Sequence, residues 1–136
     1  MKIFIICSKH FYDKVPAIKQ SLEELGHDVT PPSHHDDPGT EARYRDQGTE
    51  IHSKWVAEMI RLSTRIIEKH DAVFVLNFEK HGIKNYIGGG TFLEMYDAFR
   101  LGKKIFLYNK IPDGMLRDEI VGLGPIVTNG DLGLIV

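Results

Sequence analysis

The sequence predicts one α/β domain over residues 1–136, in three layers, with a five-stranded, mostly parallel sheet. Three observations carry this. Short continuous apolar runs rich in β-branched residues, such as 3–7 and 72–76, suit strands buried on both faces. Between the runs, apolar residues recur at three- and four-residue steps, as on helices that bury one face. Strands alternating with helices require crossover connections, and those pair strands in parallel.

Taken in order, residues 3–7 form the first strand. Val15, Ile18, Leu22 and Leu25 then share one stripe of a helix over 12–25, with Pro16 in its first turn and Gly26 as its stop. Residues 27–30 form a short second strand closed by Pro31 and Pro32. Residues 31–48 hold almost no apolar side chain and several breakers, so a long loop is expected. Ile51, Trp55, Met59, Leu62, Ile66 and Ile67 mark the longest helix, over 49–69. A third strand over 72–76 leads into a loop ending in Gly88, Gly89 and Gly90. A helix over 91–101, a strand over 104–108, a short helix over 113–123 and a last strand at 126–127 complete the pattern. The flavodoxin-like order 2-1-3-4-5 is expected for such a sheet.

Composition narrows the function. The chain is 42% hydrophobic and 26% charged, which fits a folded domain and not a disordered one. A net charge of −2 gives no general attraction to nucleic acid or to anionic membranes, so neither is an expected partner. Cys7 stands alone, without a disulfide partner or a CxxC metal pair, and a cytoplasmic setting is expected. The apolar run after Met1 is too short for a signal peptide or a membrane span. No Walker A lysine motif and no dinucleotide fingerprint follows a strand, so no cofactor is expected. His34 and His35 are adjacent in an extended segment and point opposite ways, so no metal is expected either.

In an open parallel sheet, ligands bind beyond the carboxyl ends of the strands. Residues 8–12, 77–91 and 109–114 would meet there. The sharpest feature among them is a triple glycine followed by Glu94, set between Phe92, Leu93 and Met95. Glycines let backbone approach a ligand closely, and a helix start offers free N–H groups. The helix field favours an ionised Glu94 and apolar burial opposes it. A partly desolvated carboxylate can serve as a nucleophile; equally, a glutamate near a helix start can simply complement the dipole. Asp97 reads as a solvated side chain. Arg43 and Arg45 read as a charged loop, with phosphate binding as the sharper alternative.

The stretch Gly88-Gly89-Gly90, Glu94, Ala98, Gly102-Lys103 and the strand from Ile105 to Tyr108 resembles the nucleoside 2-deoxyribosyltransferase superfamily. That superfamily includes the 2′-deoxynucleoside 5′-phosphate N-hydrolases. Asp71-Ala72-Val73 matches its D-x-V opening of the third strand, and the segment after the first strand is similar in outline. The resemblance implies that the whole chain is one such domain and that Glu94 attacks the anomeric carbon of a deoxyribose. The base is expelled and a covalent sugar intermediate forms, as in retaining glycosidases. It implies a nucleoside or nucleotide as the small-molecule partner. The substrate would be held by Ser8, Lys9, Tyr12, Asn77, Asn85, Gly88, Gly89, Gly90 and Asn109. It further implies a homodimer or higher homo-oligomer, with the tail and the Trp55 helix as contact surfaces. The family's orienting tyrosine has its nearest counterpart in Tyr12, and the family's helper acids have none: Tyr86-Ile87-Gly88 and residues 61–65 stand at their places. Two readings follow, a base–sugar cleaving enzyme of the glycosidase or transferase type and a non-catalytic nucleotide- or metabolite-binding module of the same fold.

Overall fold

The computed structural model describes residues 1–136. Five strands, β1 (Lys2–Ile6), β2 (Asp28–Thr30), β3 (Ala72–Val75), β4 (Lys104–Leu107) and β5 (Ile126–Val127), form one sheet in the order β2-β1-β3-β4-β5. Every pairing is parallel. The register sets Ile3 beside Ala72 and Ile6 beside Val75, so β1 and β3 end level with one another. Alternate side chains of each strand enter opposite cores. Phe4, Ile6, Val73, Val75, Ile105 and Leu107 meet Ile67, Met95, Ala98 and Ile120 on one face. Those partners come from α3 (Thr49–Glu68), α4 (Gly89–Arg100) and α5 (Arg117–Leu123). Ile3, Ile5, Ala72, Phe74 and Phe106 meet Val15 and Leu22 of α1 (Val15–Glu24) on the other face, with Ile135 of the tail.

The expected fold class, strand number and strand order are those of the structure. Two elements depart from expectation. The first helix splits into a 3-10 turn over Lys9–Lys14 and α1, with Pro16 in the opening turn of α1. The segment 31–48 is no simple loop: it contains α2 (Thr40–Asp46). α2 has no apolar stripe to announce it, because polar and aromatic contacts hold it. Arg43 pairs with Asp37, Thr40 donates to the Asp37 carbonyl at 2.8 Å, and Tyr44 stacks on Trp55 of α3 with ring centres 5.4 Å apart.

The tail and the Trp55 helix each make contacts within the chain and also keep exposed apolar side chains, Leu134 and Val136 on the one and Ile51 and Ile60 on the other. Ile135 fills the second core, and Trp55 is half-buried under α2. The exposed large apolar side chains of α4 are Leu93, Tyr96 and Phe99.

The loops after β3 and β4 are tied together by Asn77, which is fully buried. Its amide donates to the carbonyls of Asn109 (3.1 Å) and Lys110 (3.0 Å) and accepts from the Asn109 N–H at 2.8 Å. The Asn109 side chain donates back to the Asn77 carbonyl at 3.1 Å. Removing a buried group with several partners leaves those partners unsatisfied. Asn77→Ala is therefore expected to lower stability by about 2–4 kcal/mol, read from urea unfolding.

Candidate functional site

Because all strands point the same way, the segments following β1 and β3 reach one end of the sheet, where α2, α3 and α4 enclose a cleft. The cleft comprises three adjoining hollows of about 150, 440 and 300 Å³. Two side chains line all three, Glu94 of α4 and Glu41 of α2.

Glu94 lies in the second turn of α4, beyond the strongest part of the helix field. Protein surrounds it closely while a strip of its surface stays open to the cleft. Burial accordingly wins over the helix field. The carboxyl is raised from its ordinary 4.5 to about 7, by desolvation first and then by the charge of Asp97, with the Ser63 hydroxyl opposing. Glu94 therefore exists in both protonation states near neutrality.

Tyr12 and Cys7 sit beside it. Burial, helped by the negative charge of Glu94 and other neighbours, pushes each to about 12, so both stay neutral. The Tyr12 hydroxyl leans toward the Ser33 carbonyl at 3.5 Å. Cys7 is a half-buried thiol with no thiolate character at neutral pH.

The 440 Å³ hollow is the polar one. Ser8, Lys9 and His10 reach it from the segment after β1, Arg45 from α2, Lys80 from the β3–α4 loop, and Gly88, Gly90 and Thr91 from the start of α4. The N–H groups of Gly89, Gly90 and Thr91 have no partner within the chain. A side chain built at Gly90 would meet nothing within 4 Å, so the backbone there stands open to the hollow. Lys80 lies 4.4 Å over the Tyr86 ring and has no carboxylate partner. Desolvation, and then the charges of Lys80, His81 and Lys9, hold His10 below its ordinary value. This corner thus carries an excess of positive charge.

The other two hollows are less polar. Trp55, Met59 and Ser63 line both, joined by Pro32, His34 and Thr40 on one side and by Val56, Ile60 and Leu93 on the other. Asp97 borders the last of these and accepts from the Thr64 hydroxyl, so it is held in place and not freely solvated.

Of the expected site residues, Glu94, Ser8, Lys9, Tyr12, Gly88 and Gly90 line the cleft. Gly89 lies between two of them. Asn77 and Asn109 do not reach it, because their amides are spent on one another. Asn85 is a half-buried loop residue at φ 56° and lines none of the hollows. Glu41, Trp55, Ser63 and Lys80 join the site only through the fold. Arg45 comes to the cleft, whereas Arg43 lines none of the hollows and is paired with Asp37, which borders the smallest of them. His34 lies 6.2 Å from the Trp55 ring, and His35 contacts the Pro32 carbonyl at 3.1 Å.

Comparison with protein-family models, curated proteins and solved structures found no match. No helix is long and apolar enough to cross a membrane.

The raised Glu94 has a consequence for stability. Between about pH 4.5 and 7 the folded protein keeps a proton that the unfolded chain has released, so Glu94 lowers stability as pH rises through that interval. Glu94→Gln, which stays neutral, is expected to melt above the wild type at pH 8. The gap should close below pH 5, as measured by thermal denaturation across pH.

Proposed function

We propose that this protein cleaves the bond between base and sugar in a nucleotide, with Glu94 as nucleophile. The observation that carries the proposal is the place of Glu94: closely packed in protein, yet open to a cleft that is basic on one side and aromatic on the other. The resemblance of residues 85–109 to the deoxyribosyltransferase superfamily points the same way.

Each part of the cleft has a task in this reading. The ionised Glu94 attacks the anomeric carbon, the base departs, and the ester formed is opened by water or by a second base. Low solvation makes the carboxylate reactive, and neutral Tyr12 beside it can donate a hydrogen bond to the sugar or to the carboxylate. Lys9, Lys80, Arg45 and the free N–H groups at the start of α4 suit a phosphate, which favours a nucleotide over a nucleoside. Trp55 and Met59 supply apolar surface for the flat base.

The decisive assay follows free base by chromatography, with deoxynucleosides and ribonucleosides supplied with and without 5′-phosphate. Base release by the wild type, and a loss of at least about 1000-fold in Glu94→Ala, is the expected result. Wild-type protein that binds nucleotides, as judged by a raised melting temperature, but releases no base would replace this reading with the binding module. Activity in the wild type should rise with pH through about 7, as Glu94 ionises. Lys80→Ala should raise KM for the 5′-phosphorylated substrate by roughly tenfold and leave KM for the matching nucleoside little changed.

A further inference from the structure

Glu94 alone does not make a good base-cleaving site. A nucleobase leaves poorly as an anion, so a group that gives it a proton speeds departure. The family's helper acids have no counterparts at their usual places in this chain. The fold brings another carboxylate to the cleft from an unrelated position.

Glu41 stands at the start of α2 and borders the same three hollows as Glu94. It is half-buried, and one of its oxygens faces two donors. His52 Nε2 of α3 lies 2.9 Å from it, and the Arg45 guanidinium lies 3.2 Å from it. His52 is itself fixed: its ring lies parallel to Trp55 at 6.3 Å, and the other side of the cluster holds Tyr44 on Trp55. Tyr12 borders two of the three hollows that Glu94 and Glu41 share. A carboxylate beside a histidine can share and exchange a proton, and the aromatic wall next to it is the surface offered to a base.

Resting on the glycosidase reading above, we propose that Glu41 is the general acid and base of the reaction, with His52 as the residue that positions it. In the first step the bond from C1′ to the base nitrogen breaks and its electron pair leaves with the base. Glu41 gives that nitrogen a proton, and a Glu94 oxygen forms the ester with C1′. In the second step water attacks C1′ and hands its proton to Glu41, and Glu94 departs as carboxylate. Base and sugar phosphate are the products of nucleotide and water, with no oxidant or metal required.

The test varies the leaving group. Wild type, Glu41→Gln, His52→Gln and Glu94→Gln are assayed on a purine deoxynucleotide and on 4-nitrophenyl 2-deoxyribose 5-phosphate, whose phenolate leaves without a proton. Glu41→Gln should lose about 100-fold or more in kcat/KM on the purine substrate and far less in kcat/KM on the nitrophenyl one, while its kcat on the nitrophenyl substrate falls because the second step lacks its base. His52→Gln should show the same split in smaller measure, and Glu94→Gln should lose both activities. Azide should restore turnover to Glu41→Gln on the nitrophenyl substrate, with a glycosyl azide as product. Equal losses in kcat/KM on the two substrates, or no loss on the purine one, would overturn the assignment of Glu41 while leaving Glu94 as nucleophile. A wild type that cleaves neither substrate would overturn the glycosidase reading and this one together.

Discussion

A parallel sheet covered on both faces has its own backbone bonds satisfied along its length, and its side chains are committed to two dry cores. Here those cores take Ile3 to Ile6, Ala72 to Val75 and Ile105 to Leu107 almost completely out of water. Polar work is thereby confined to the ends of the strands. At the carboxyl end, β1 and β3 stop in register, so the chain segments leaving them lie side by side. Asn77 then ties the exit of β3 to that of β4, which frees the β3–α4 loop to carry Lys80 and the glycines to the cleft. The site is a result of where the sheet stops being dry.

How much of this the sequence disclosed follows from which interactions were local. β1, β3 and β4 were legible because a strand buried on both faces needs an unbroken apolar run, whereas the short edge strands β2 and β5 are marked mainly by the breakers around them. The strand order is no property of any one segment and follows only from the topology common to such sheets. Glu94 was legible because a carboxylate flanked by Phe92, Leu93 and Met95 breaks the apolar pattern of its helix. The fate of Asn77 was not legible, since an asparagine after a strand can face a ligand or another loop, and only the partner decides. Its carbonyl and amide partners are 32 and 33 residues away. Glu41 was hidden for the same reason. It sits on a helix with no apolar stripe, and its partner His52 lies 11 residues on, across a turn. Both facts appear only when α2 folds back over Trp55.

Two opposing effects meet at Glu94. A helix start lowers a carboxyl pKa only over its first turn, whereas desolvation acts wherever water is excluded. Placing the residue one turn further in changes the sign of the balance. The charge of Asp97 adds to the rise and Ser63 limits it, so the group is held close to neutrality and not driven far above it. Stability is given up for a carboxyl that can change state under ordinary conditions.

α2 has a different thermodynamic character from the rest of the molecule. The sheet is sealed by aliphatic and aromatic packing, which salt hardly affects. α2 is held by an exposed ion pair of Arg43 with Asp37, by the pairing of half-buried Glu41 with Arg45 and His52, and by one aromatic stack. Such contacts weaken as ionic strength rises and contribute little individually. The wall of the cleft that carries Glu41 therefore responds to ionic strength, whereas the sheet beneath it does not.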